Sequence, residues 1–151
     1  MLVHIAYAST TAAPFGRQDL LDLLHKARAR NAQLDITGML LHQSGDFFQV
    51  IEGSQLAIAQ LFAEISSDVR HRNVVKIIEE PIPNRLFGDW TMALADVTQV
   101  ELSEMEGLND YFGQGLMFSQ LGAGRAKKLL TAFGSGRWRR RLAGVNNAAA
   151  A

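Results

Sequence analysis

The stretch SGDFFQVIEG, Ser44–Gly53, decides how the chain is read, because it is an apolar run with a glutamine at its centre. Successive strand residues face opposite ways, so Phe47, Gln49 and Ile51 share one face while Phe48 and Val50 share the other. The Gln49 amide therefore points where apolar side chains point. An unpartnered buried amide costs about 1–3 kcal/mol, so an interior group has to offer Gln49 both a donor and an acceptor. Either protein or ligand can supply them.

Working outward from this strand, Ile36–His42 reads as its hairpin partner, joined through the short Gln43-Ser44-Gly45 turn. Downstream, Gly53-Ser54 breaks the strand and caps a helix whose buried stripe is Ile58, Leu61, Phe62 and Ile65. Leu2–Ala8 alternates as a first strand, Ser9–Gly16 reads as a loop, and Gln18 to about Arg30 carries Leu20, Leu24 and Ala27 at helical spacing. Asn31 follows Leu24 by two helical turns, so a helix that continues puts it on the same inward stripe. Asn73–Glu80 is a fourth strand ended by Pro81 and Pro83, and Trp90–Ala95 supplies a fifth.

The predicted fold is α+β, a ferredoxin-like βαββαβ(β) sheet. Right-handed crossovers put both helices on one face and define a groove between them, floored by the sheet. Glu101 to about Phe112 and Phe118 to about Phe133 are predicted as two C-terminal helices covering the other face. The expected organisation is a domain over 1–97, a helical extension over 98–135 and a basic, flexible tail over 136–151.

Composition narrows the function. The chain of 151 residues, 48% hydrophobic, suits one folded domain with a core. Cysteine is absent, which removes disulfides, thiol catalysis and cysteine-bound metal clusters, and fits a reducing cytoplasm, the expected location. No stretch reads as a secretory leader or a membrane span. The formal net charge is zero, against wholesale attraction to nucleic acid. Charges are all acidic between Thr91 and Gln120 and all basic from Leu121 onward, which reads as two terminal helices of opposite sign or a basic tail that meets an acidic partner.

On these strand phases Tyr7, Gln49 and Asn31 converge on the groove, and Trp90 and Met92 share one face of the last strand. Plainer readings stand beside each. Tyr7 also fits a core tyrosine bonded to a backbone carbonyl, Asn31 a helix terminator, and Trp90 and Met92 core filler. Gln49 has the weakest such alternative, since glutamine belongs mostly at the surface. A ligand with a row of polar edge atoms would satisfy all three polar groups together. His4, His25, His42 and His71 lack the spacing of a zinc helix, and no phosphate-binding loop, dinucleotide fingerprint or nucleophile elbow is present. Glu79 and Glu80 read as a solvated charge pair at a strand end.

With these residues placed, the sequence resembles the BLUF family of flavin-binding blue-light sensors over about residues 2–97. The match is carried by IAYAS with Tyr7 and Ser9, ARNAQLDITGMLL with Asn31 and GDFFQVIEG with Gln49. It continues through DVRHRNV, with Arg70 and His71, and PIPNRLFGDWTMAL, with Trp90 and Met92. The resemblance implies FAD held noncovalently, its ring between the two helices. It implies Tyr7 as electron and proton donor, Gln49 as the switch, Asn31 at the ring edge, and Arg70 and His71 near the flavin and its side chain. Ser9, Trp90 and Met92 are then candidates for signal relay.

Two departures stand out. Arg30 sits where some relatives carry His or Asn, and Val50 follows the glutamine where some carry tryptophan. The expected role is that of a photoreceptor, not an enzyme, signalling through a protein partner or a changed homo-oligomer, without membrane or nucleic acid. The rival reading is a ferredoxin-like RNA-binding module, because GDFFQV is similar to the aromatic motif on which such domains stack bases, although its leading basic residue is missing. An acylphosphatase-type enzyme lacks its anion-binding loop.

Overall fold

The computed structural model describes residues 1–11, 16–43, 45–67, 71–88, 92–96 and 118–134. The elements run β1 (Leu2–Thr11), α1 (Arg17–Leu34), β2 (Thr37–Gln43), β3 (Asp46–Ser54), α2 (Gln55–Ser67), β4 (His71–Pro81) and β5 (Ala93–Asp96). A 3-10 turn at Phe118–Gln120 and a helix α3, Ala123–Gly134, follow. The strands form a five-stranded sheet in the order β4-β1-β3-β2-β5, antiparallel throughout except for the parallel pair β2–β5. This is the ferredoxin-like βαββαβ order expected from the sequence, with β5 added beside β2. The expected helix at Glu101–Phe112, the tail at 136–151, Arg70 and Trp90 lie outside the described residues.

Alternation along β3 builds two cores. Phe47 and Ile51 join Tyr7, Leu20, Leu24, Ile58 and Leu61 beneath α1 and α2. Phe48 and Val50 face the other way and join Phe118, Leu129, Leu130 and Phe133 beneath α3. Both sheet faces are therefore covered, as each apolar face requires.

Several boundaries shift from the expectation. β1 continues to Thr11 instead of ending at Ala8, because β4 supplies partners as far as Thr11 opposite His71. α1 runs a full turn past Arg30 to Leu34, and Asp35, at φ 54°, closes it with its N–H on the Asn31 carbonyl. Asn31 is thus not the terminator. β3 persists through Ser54, whose Oγ accepts the Ala57 N–H at 3.2 Å and caps α2 as expected. The segment expected as a helix from Phe118 begins as a 3-10 turn and becomes α-helical only at Ala123.

Gly38 fixes how tightly the hairpin closes. A Cβ there would lie 2.1 Å from the Val50 carbonyl oxygen, so β2 and β3 reach this approach only with glycine. At the turn Gly45 has φ 83°, a conformation glycine adopts without strain.

Candidate functional site

The site is one row of the sheet. Tyr7 of β1 pairs with Gln49 of β3, and Gln49 pairs with Leu40 of β2, so a phenol and an amide stand side by side on the face below α1 and α2. The Tyr7 hydroxyl donates to Gln49 Oε1. The Gln49 amide nitrogen in turn donates to the Met92 thioether at 3.6 Å. Gln49 is 8% exposed and Tyr7 and Met92 are buried, so the opening puzzle is answered in part by protein: a hydroxyl for the oxygen and a sulfur, a weak acceptor, for the nitrogen.

Burial pushes the Tyr7 phenol above its ordinary value, against a smaller lowering from the Arg30 guanidinium. The hydroxyl is therefore a neutral donor across the physiological range. Its ring meets Phe62 of α2 edge-on, with centroids 5.5 Å apart, which fixes the ring plane between sheet and helix. Asn31 is buried on the α1 stripe with Leu20, Leu24 and Ala27, where the helical spacing places it. Ser9 is buried on β1 opposite Phe47, two residues from Tyr7 on the same face. His71 opens β4 opposite Thr11. Its side chain, like Arg70 and Trp90, falls outside the described part of the structure.

Structure adds residues that the sequence reading passed over. Glu52 is fully buried. Its Oε1 accepts the Thr37 hydroxyl at 2.9 Å and the Phe87 N–H at 2.7 Å, and its Oε2 accepts the Leu86 N–H at 2.9 Å. Arg85 completes the cluster, donating to Thr37 Oγ1 at 2.8 Å and to the Asp35 carbonyl at 2.8 Å. These bonds staple the segment after β4 onto the hairpin. The signal for Glu52 was the one that singled out Gln49: it shares the face of Phe48 and Val50, so its carboxylate enters an apolar core. Arg28, Asp46 and the His4–Glu80–Lys127 chain were also missed. Glu80, expected to be solvated, accepts from His4 at 3.0 Å and pairs with Lys127 of α3 at 3.2 Å, which hold its carboxyl below the usual range.

The RNA-binding reading does not survive this packing. Phe47 and Phe48 are both buried, one under each layer of helix, and an aromatic platform for bases has to stand open to solvent. Among the described residues there is no cluster of metal-binding side chains and no helix long and apolar enough to cross a membrane.

Fold and site together define a ferredoxin-like α+β domain carrying an interior polar row of hydroxyl and amide groups between sheet and helices. The chain belongs to the BLUF family, sensors of blue-light using FAD, whose model matches residues 2–93. Among solved structures it is similar to the dark state of the BLUF protein BlrB, with TM-score 0.72 and 31% identity over 89% of this chain and 96% of that one. It is also similar to BlsA in its ground state, with TM-score 0.75 and 28% identity over 87% of each chain. Among curated proteins it is 35% identical over 113 residues, 75% of this chain, to the photoactivated adenylate cyclase subunit alpha of Euglena gracilis. The chain spans only 11% of that protein's length. It is a blue-light photoreceptor domain that binds FAD.

The residues present fit that cofactor. A flavin ring offers carbonyls, ring nitrogens and one N–H along its polar edge. The Gln49 and Asn31 amides each carry donor and acceptor, and the buried Arg30 Nε is a donor without a hydrogen-bond partner among the described residues.

Proposed function

We propose that this chain senses blue light by reversing the Gln49 amide beside bound FAD, with Tyr7 as the group that drives the reversal. The observation that carries the reading is the chain Tyr7 Oη–H to Gln49 Oε1 and Gln49 Nε2–H to Met92 Sδ, which gives the amide one defined orientation. FAD, when bound, supplies the blue-light absorption and an excited state able to accept an electron and a proton. Tyr7 is buried with its phenol pushed up, so it enters the step as the neutral phenol, and in this reading it gives up both an electron and a proton. Removing the Tyr7 hydrogen takes away the donor that holds Gln49 Oε1. Rotation or tautomerisation of the amide then exchanges which atom faces Tyr7 and which faces the ring edge. Once the electron and proton have returned to Tyr7, a donor newly aimed at a flavin carbonyl would lower the optical transition energy of the oxidised ring, which reads as a small red shift without covalent change. The return of the amide is dark recovery.

In this reading Asn31 holds the ring edge from α1, with Arg30 beside it, and Arg70 and His71 serve the flavin and its side chain, as the sequence resemblance implies. The output is carried by changed partner or homo-oligomer contacts, with Ser9, Trp90 and Met92 in the relay. The chain acts as a sensor with no catalysis of its own, and a cytoplasmic setting suits it. The relatives named as photoactivated adenylate cyclases support a sensor that governs a separate output unit, in the same chain or another.

The test is Gln49→Leu. The variant is expected to stay yellow, with FAD bound in stoichiometric amount, and to show no red shift under blue light. A normal reversible shift in that variant removes Gln49 from the switch.

A further inference from the structure

Met92 makes two contacts that belong together. Its sulfur receives the Gln49 amide N–H, and its backbone carbonyl receives Arg28 Nε–H at 3.0 Å. Arg28 stands on α1 three residues before Asn31, partly buried, and burial lowers its guanidinium from the ordinary value. A guanidinium withdrawn from water to bond a carbonyl is costly, and the bond it makes fixes the chain directly before β5. Met92 is flexible and unbranched, so the place of its sulfur depends on where its backbone is held.

We infer that Arg28 is a positioning residue of the photoswitch: by anchoring the Met92 carbonyl it keeps the thioether against Gln49 and so biases the amide toward the orientation found in this structure. A thioether accepts a hydrogen bond and has none to donate. In the present orientation the sulfur meets an N–H. In the reversed orientation it meets Oε1, acceptor against acceptor, and the contact is lost. Met92 thus adds to the Tyr7 hydroxyl in favouring one of the two amide states, and Arg28 sets how firmly it does so. The inference rests on the reading that light reverses the Gln49 amide.

The experiment measures the red shift and the rate of dark recovery in FAD-loaded full-length protein. Arg28→Met keeps the aliphatic stem and removes the donors. It is expected to retain FAD and the red shift while recovering about two- to fivefold more slowly, the scale of one weak hydrogen bond. Arg28→Lys, which can still reach the carbonyl, is expected to recover near the wild-type rate. In a Met92→Leu background, Arg28→Met is expected to change the rate no further. Should Arg28→Met bind no FAD, Arg28→Gln replaces it in the same comparison. Recovery at the wild-type rate without the guanidinium, or equal slowing with and without Met92, overturns the role of Arg28. Loss of the light response in the wild type overturns the amide switch itself, so the two failures are distinct.

Discussion

At the scale of single residues, the site works because two polar side chains are buried where each answers the other and Met92 answers the amide. Tyr7→Phe separates the two jobs of the hydroxyl. It removes the donor to Gln49 Oε1, so the amide loses its defined orientation and the protein is expected to lose about 1–2 kcal/mol of stability from the unpartnered oxygen. On the proposed mechanism it also removes the electron and proton source, so FAD should stay bound while the red shift disappears; absorbance spectra before and after illumination check this. A persistent shift would mean that another residue donates. Gln49, Tyr7 and Asn31 were legible in the sequence because period-2 and period-3.6 spacing alone send polar groups inward. Arg28 was not, because its partner is a backbone carbonyl and a carbonyl leaves no trace in a residue pattern. Glu52 obeys the same alternation as Gln49, but at the end of a predicted strand an acid has an equal claim to solvent.

At the scale of elements, β3 carries polar residues to both faces, and Asp46 ties its start to the turn before α3. Asp46 Oδ2 accepts the Phe118 N–H at 2.8 Å, and Oδ1 is buried without a hydrogen-bond partner among the described residues. Burial raises this carboxyl from 3.8 to about 6, against smaller lowering by the Phe118 and Phe47 amides. Between those two values the folded chain holds a proton that the unfolded chain has released, so this group's contribution to stability falls as pH rises through the window. The shift corresponds to about 3 kcal/mol at most. Asp46→Asn keeps an acceptor for Phe118 and removes the titration. Denaturant unfolding of both proteins from pH 4 to 7 is expected to show the variant gaining relative to wild type as pH rises, with the difference level above pH 7. A difference that does not change with pH would remove Asp46 as the titrating group. The order of elements was legible throughout, whereas their ends were not: β1 outran its pattern because β4 lies alongside it, and α1 outran Arg30 because Asp35, not Asn31, takes the left-handed turn.

At the scale of the whole molecule, the family match ends at residue 93 while the core does not. Ala126, Leu129, Leu130 and Phe133 of α3 complete the apolar layer on Phe48, Val50, Met39 and Leu41, and Phe133 stacks edge-on against Phe87 at 5.8 Å. Phe87 is the residue whose N–H is held by Glu52, three residues along β3 from Gln49. Sensor face and α3 are thus joined through one strand, from Gln49 on one side to Val50 and Glu52 on the other. Each large side chain buried in this layer is worth about 1.5–3 kcal/mol, so a fragment of residues 1–97 exposes a sheet face that water does not tolerate. It is expected to associate or to bind a hydrophobic dye, while a fragment of residues 1–134 should match the full chain in stability and red shift. Size-exclusion chromatography and dye fluorescence of the three proteins distinguish these outcomes. A fragment 1–97 that is monomeric and as stable as the full chain would show that α3 is an appendage. A signal that left Gln49 along β3 would reach α3 through Phe48 and Val50, which pack beneath it. Hydrogen exchange over residues 123–134 should therefore change on illumination in the wild type and stay constant in Gln49→Leu.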